Sequence, residues 1–189
     1  MTSSKNITIG TVQTEEELVQ ILELQSKYHV SNYSKDDVPG DGFLTVKHDI
    51  QMLRILNAAA SQVIARADSR VIGYALVMLP QFADLIPVLK PMFQMFDQLY
   101  YQGKSLNQYS YYVMGQICID ENYRGAGIFR MLYDHHRINF SNKYDFIITE
   151  VALRNKHSMQ AHEKIGFSKI LTYTDIGEEW NIMLWNWSK

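Results

Sequence analysis

Apolar and polar positions alternate from Ile7 to Val12, the period expected of a short strand with one covered face. Thr14 followed by Glu17 is a capping-box pattern. It predicts an amphipathic helix to about Tyr28 with Leu18, Ile21, Leu22 and Gln25 on one face. Ser31–Gly42 is rich in turn formers (Asp36, Asp37, Pro39, Gly40, Asp41, Gly42). It reads as an exposed loop, either a plain linker or the border of a substrate site, ahead of a second helix around Lys47–Ala59. Gln62–Ala67 and Val71–Leu79 are β-rich runs separated by Asp68-Ser69-Arg70, a spacing that suggests an antiparallel hairpin.

Between Pro80 and Ser110 the regular pattern breaks. Pro80, Pro87 and Pro91 precede Met92, Phe93, Met95, Phe96, Leu99, Tyr100 and Tyr101, a composition that suits a helical insertion at about 80–110 packing an apolar face, or forming a lid or dimer contact. Tyr111–Ile119 reads as another strand, followed by a glycine-bearing turn and a helix over about Gly127–Phe140. Phe146–Val151 is nearly continuous in apolar residues, as expected of a strand covered on both faces. A helix over about Asn155–Ile165 ends at Gly166, and Lys169–Thr174 and Trp180–Trp187 are two last strands. The mixture of strands and helices predicts an α/β (α+β) fold. The 189 residues suit a single domain, 1–189, with one insertion.

The net charge of −2 gives no basic excess, so nucleic acid is not expected as a partner. The one cysteine, Cys118, excludes an intrachain disulfide and any multi-cysteine metal site, and agrees with a reducing, cytoplasmic setting. No signal-peptide pattern opens the chain. The most apolar region, Val71–Phe93, is interrupted by Pro80, Asp84, Pro87, Lys90 and Pro91, so no membrane span is expected.

Candidate chemistry concentrates at Ile117-Cys118-Ile119-Asp120-Glu121-Asn122-Tyr123-Arg124-Gly125-Ala126-Gly127-Ile128-Phe129, a strand that passes through a glycine turn into a helix. Gly125 and Gly127 allow successive amide N–H groups to converge on an anion at the positive end of the helix, and Arg124 adds a charge. This is phosphate-binding geometry, although such a turn is also common in α/β proteins with no ligand. No Gly-Lys-Ser/Thr follows, so it is not a P-loop; the third glycine and later acidic residue of a dinucleotide fingerprint are missing too. Asn155, Ser158 and His162 recur at helical spacing and share one face. They form either a ligand-facing polar stripe or an N-cap with a solvated histidine.

With both motifs in view, the chain resembles the GNAT superfamily of acyl-CoA-dependent N-acyltransferases. The family's pyrophosphate motif has Gln or Arg, two free positions, Gly, one free position, then Gly or Ala; Arg124 and Gly127 match it, and Tyr123-Arg124-Gly125 is its usual lead-in. Its later signature is met by Asn155, Ser158, Gly166 and Phe167, with Glu163-Lys164 also typical. The match covers about Tyr111–Phe167. Phe129 departs from the pattern at the Gly/Ala position, and His162 stands where the family often has a tyrosine. The resemblance implies a mixed, mostly antiparallel twisted sheet of about seven strands flanked by helices. It also implies acetyl-CoA (acyl-CoA) as cosubstrate, bound by Ile117, Cys118, Ile119, Arg124, Gly125, Ala126, Gly127, Ile128, Phe129, Asn155, Ser158 and His162, with no metal.

Acyl transfer to an amine requires the amine to lose a proton, and a lysine-like amine has a solution pKa of about 10.4. Glu150, at the end of the apolar strand, is the best-placed carboxylate. It matches the position of a proposed base in related ribosomal-protein acetyltransferases, and the alternative is a structural strand-end glutamate. The resemblance implies that backbone N–H near Ile117 or Cys118 polarises the thioester carbonyl. His162 either protonates the departing thiolate or binds CoA without chemistry. Cys118 reads as a buried, inert thiol. His135-His136 lacks metal-binding spacing and reads as surface or half-buried. The expected activity is direct transfer of an acetyl or short acyl group to a primary amine on a small molecule or peptide, by a chain that could form a homodimer. The alternative is a catalytically silent acyl-CoA-binding module.

Overall fold

A computed structural model describes residues 6–33 and 43–187. It gives the order β1 (Ile7–Thr11), α1 (Glu15–Tyr28), α2 (Ile50–Ala59), β2 (Val63–Ala67), β3 (Arg70–Met78), α3 (Lys90–Phe96), β4 (Tyr100–Tyr101), β5 (Lys104–Ser105), β6 (Tyr111–Ile119), α4 (Ile128–Phe140), β7 (Phe146–Ala152), α5 (Lys156–Ile165), β8 (Ser168–Asp175) and β9 (Glu178–Asn186). Seven strands form one sheet in the order β1-β2-β3-β6-β7-β9-β8, and β4 and β5 form a separate hairpin. The β1–β2, β2–β3, β7–β9 and β8–β9 ladders are antiparallel and β6–β7 is parallel. The sheet is thus mixed and mostly antiparallel, flanked by helices, as expected. Residues 34–42, most of the turn-rich segment, lie outside the described residues.

Two compact units divide the chain. The described part of one comprises 6–33, Phe43–Val77 and Gly115–Ile138. Here α1 starts where the capping box dictates: Glu17 N donates to Thr14 Oγ1 (3.3 Å), and Thr14 N donates back to Glu17 Oε2 (3.2 Å). Leu18, Ile21, Leu24 and Tyr28 pack with Leu53, Ile64, Val71, Tyr74, Leu76 and Cys118, while Leu22 is partly buried beside them. Gln25 is buried on the same face because His48 satisfies it: the His48 N–H donates to Gln25 Oε1 at 3.0 Å, and Gln25 Nε2 lies 2.8 Å from His48 Nδ1. The second helix starts at Ile50 rather than Lys47, because the Asp49 carboxylate accepts from Met52 N at 2.8 Å and fixes the cap there.

The described part of the other unit comprises Met78–Met114 and 139–187. The segment expected to be a helical insertion is only partly helical. Pro80 and Pro87 each open a short 3₁₀ turn, α3 follows, and β4 and β5 close through Gln102 (φ 48°) and Gly103 (φ 81°). Met92, Phe93, Phe96 and Leu106 are buried, as the apolar pattern requires. Tyr111 stacks on Phe146 (centroids 5.4 Å apart), with Tyr101 and Tyr109 at 5.9 and 5.2 Å from the same ring. The β6–β7 ladder is registered over three pairs, Tyr111↔Phe146 to Val113↔Ile148.

Candidate active site

In the first unit, β6 ends at Ile119 and the chain makes a 3₁₀ turn, Glu121–Tyr123, before the glycines. Asp120 caps that turn by accepting from Asn122 N and Nδ2, both at 3.0 Å. Its own N–H donates to Ile72 O at 2.8 Å. Gly73 permits close packing here: a Cβ on it would lie 3.1 Å from the Cys118 carbonyl oxygen and 3.3 Å from Ile119 Cγ1. Nothing in the local sequence pattern marks Gly73 for this task.

Gly125 (φ 77°) and Gly127 (φ 78°) both occupy the left-handed region, and a Cβ added at either would meet nothing within 4 Å among the described residues. Backbone conformation, not crowding, therefore requires glycine, and the backbone is open to a ligand. The turn feeds α4, with Met131 N donating to Gly127 O at 3.1 Å. Ile128 is buried, and Phe129 is half-buried against Tyr133, ring centroids 5.1 Å apart. Arg124 brings its guanidinium 5.2 Å from the Tyr28 ring centroid, and its Nε donates to Ile119 O at 3.4 Å. Open left-handed glycines, a helix N-terminus and a stacked arginine fit a pyrophosphate.

Ile117 and Ile119 are half-buried on β6, with Cys118 between them buried. Burial pushes the Cys118 thiol up to about 12, so it is protonated and unreactive. His136 corrects the expectation of a surface or half-buried pair: His135 is half-buried, but His136 is fully buried. It falls one turn after the buried Leu132 and two after Ile128, so the helical period carries it inward. Desolvation lowers its pKa to about 3.

In the second unit, Glu150 pairs with Ile182, and Val151 pairs with Asn181. Asn181 Nδ2 lies 2.9 Å from Met159 Sδ of α5, so Asn181 and Val151 face that helix. Glu150 projects from the other side of the sheet, where Trp180 and Tyr173 also fall by alternation. Glu150 is half-buried and its Oε2 is buried with no hydrogen-bond partner among the described residues. Desolvation raises its pKa to about 7, against a lowering contribution from the Tyr173 hydroxyl, with the Asp175 charge raising it further. A carboxylate poised near neutrality suits a general base. Tyr173 was invisible to local motif reading, because it reaches Glu150 across β9.

Asn155 caps α5, its Oδ1 accepting from Ser158 N at 3.2 Å. His162 is buried, with Nδ1 2.7 Å from Ser158 O and 3.3 Å from Ser158 Oγ, and its ring packs edge-on to Phe167 at 5.1 Å. A carbonyl can only accept, so Nδ1 carries the proton. Desolvation lowers the pKa of His162 to about 4, which leaves the ring neutral near pH 7 instead of at an ordinary imidazole value. Among the described residues, no group of three or more His, Cys, Asp or Glu could hold a metal, and no helix is long and apolar enough to cross a membrane.

A family model described as the acetyltransferase (GNAT) family matches residues 18–167. No curated protein sequence matches the chain. Among solved structures, the ribosomal-protein-S18-alanine N-acetyltransferase of Escherichia coli is similar at 13% identity and TM-score 0.63, covering 97% of this chain and 96% of that one. A putative acetyltransferase of Salmonella typhimurium, solved with its cofactor acetyl-CoA, is similar at 12% identity and TM-score 0.64 (97% and 95% covered). An N-acetyltransferase of Staphylococcus aureus Mu50 is similar at 15% identity and TM-score 0.66 (97% and 99% covered).

Proposed function

Since the chain belongs to the GNAT acetyltransferase family, we propose that it transfers an acetyl or other short acyl group from acyl-CoA to a primary amine by direct attack. Bound acyl-CoA supplies an activated thioester carbonyl. The chain's own residues then have three tasks: hold the pyrophosphate, take a proton from the amine and stabilise the developing oxyanion.

Arg124 and the amides of Gly125–Phe129 are suited to the first task, with Asn155, Ser158 and His162 as further CoA contacts. Glu150 is suited to the second, and the observation that carries the reading is its half-buried place on β7, where Oε2 finds no hydrogen-bond partner among the described residues and desolvation raises the pKa to about 7. At neutral pH a large fraction of it is ionised and can accept a proton from an ammonium group, while its conjugate acid is not too weak to give the proton up again. The backbone N–H near Ile117 or Cys118 takes the third task. His162, neutral with its Nδ1 proton on Ser158 O, serves in this reading as a CoA contact and not as a cationic acid.

The acceptor is a small-molecule or peptide amine. An acetyl-CoA thiol-release assay over an amine panel, run on the native chain and on Glu150→Gln, tests the proposal. The expected outcome is turnover on at least one amine, falling by roughly 10²–10⁴-fold in Glu150→Gln, with CoA affinity kept. In the native chain kcat/KM should rise with pH through an apparent value near 7. CoA binding without turnover on any amine would favour a silent binding module; no CoA binding would overturn both readings.

A further inference from the structure

We propose that Lys27 and Tyr28, the last two residues of α1, are positioning residues for pyrophosphate binding: they clamp the segment Asp120–Arg124 and cancel the negative charge beside the glycine turn. This rests on reading Arg124–Phe129 as the pyrophosphate site, and it adds a requirement that no local motif contains.

The segment poses an electrostatic problem of its own. Asp120 and Glu121 precede Arg124 by four and three residues, so the approach to the turn carries more negative than positive charge. An anion seated on the turn would be repelled by two carboxylates within the distance at which charges act without full screening. Lys27 meets both: its Nζ lies 3.2 Å from Asp120 Oδ2 and 2.9 Å from Glu121 Oε1. With Lys27 in place, the two carboxylates are balanced by two cations, and the open face of the turn presents amides and the arginine without an opposing field.

Tyr28 supplies the geometry. Its hydroxyl accepts from the Glu121 N–H at 2.8 Å, at the first residue of the 3₁₀ turn whose C-terminal cap is Arg124. The turn closes when Arg124 N donates to Glu121 O at 3.3 Å. The same ring lies under the Arg124 guanidinium, 5.2 Å from its centroid, and near the Lys27 ammonium at 4.9 Å. One buried aromatic therefore fixes both the backbone that leads into Arg124 and the plane of its side chain. The contacts join residues 93 apart in sequence, so α1 and the phosphate turn are set as one piece.

Charge and geometry predict different signatures. By calorimetry with CoA at low salt, Lys27→Met should weaken binding by roughly 5–20-fold, and most of that loss should vanish near 1 M salt, where screening acts over about 3 Å. Lys27→Arg should restore binding. Tyr28→Phe keeps the buried ring and removes only the hydroxyl; it should weaken CoA by roughly 3–10-fold with little salt dependence, the scale of one lost hydrogen bond. Pantetheine, which lacks the pyrophosphate, should bind all variants alike in a competition assay. CoA affinities of Lys27→Met and Tyr28→Phe within twofold of the native chain would overturn the proposal, as would parallel losses for CoA and pantetheine. Native protein that fails to bind CoA would instead overturn the pyrophosphate reading on which the proposal stands.

Discussion

Nδ1 of His162 lies 2.7 Å from the carbonyl oxygen of Ser158, one turn back along α5, in a ring that is only 2% exposed. The carbonyl fixes the tautomer and the burial fixes the charge, since an imidazolium there would lose its hydration. A histidine of ordinary pKa would be an effective acid for a thiolate; this one is neutral across the range in which an acetyltransferase would be assayed. Ring-proton NMR over pH 8 to 5.5 should therefore show no titration of His162, its midpoint lying near 4. A midpoint near 6.5 would return it to the list of candidate acids.

Three desolvated histidines, His136 and His162 buried and His48 half-buried, set the sign of the pH dependence of stability. Desolvation lowers His48 to about 4, His136 to about 3 and His162 to about 4, whereas in the unfolded chain each takes a proton near 6.5. Their contribution is complete above pH 6.5 and is lost as pH falls toward 4, because the unfolded state then binds more protons. Glu150 acts in the opposite sense. Its folded value of about 7 exceeds the unfolded 4.5, so its contribution is complete below 4.5 and is lost as pH rises through 7. Between pH 4.5 and 6.5 three groups oppose one, each with a limiting slope of about 1.4 kcal/mol per pH unit. The urea midpoint should fall from pH 7 to pH 5; an unchanged or rising midpoint would mean that these rings are accessible to protons in the folded state.

Gly166 terminates α5 with φ 125°, a conformation that side-chain-bearing residues rarely adopt, and a Cβ there would lie 2.8 Å from Trp185 Nε1. Gly166→Ala should destabilise the protein by about 2 kcal/mol, the scale of one strained backbone position, and lower Tm by roughly 4–8 °C. Thermal unfolding checks this; a loss below about 0.5 kcal/mol would mean that Trp185 moves aside freely.

What was legible in the sequence was local. Thr14 with Glu17, Asn155 with Ser158, and Gly166 each signal a helix boundary through bonds made within four residues, and each boundary stands where it was expected or one residue away. The bounds of β6 are those expected, and β7 follows from the nearly continuous apolar run Phe146–Val151, ending one residue later at Ala152. Illegible features depended on distant partners. The raised pKa of Glu150 comes from burial, with Asp175 on β8 adding to it and Tyr173 of the same strand opposing it, and the clamp on Arg124 needs a helix 93 residues earlier. The segment after Pro80 misled for another reason. Its apolar residues fill a core, but the prolines divide them into helical pieces of three to seven residues, and two-residue strands such as β4 and β5 are too short to show a period.

The β8–β9 turn breaks the local rule that the helix caps obey. Asp175 pairs with Glu178, so Ile176 and Gly177 form a two-residue loop, with φ 45° and 75°. Such a turn needs left-handed backbone at both central positions, which Asn, Asp and Gly accept, whereas a β-branched residue clashes with its own carbonyl. Ile176 has no packing to offset that strain, being 92% exposed. Ile176→Asn should therefore stabilise the protein by about 1 kcal/mol, and Gly177→Ala should destabilise it. Urea denaturation of the two variants beside the native chain checks both signs. If Ile176→Asn instead lowers the midpoint, the strain at Ile176 is compensated by an apolar contact made in solution, and the tip of this hairpin is covered.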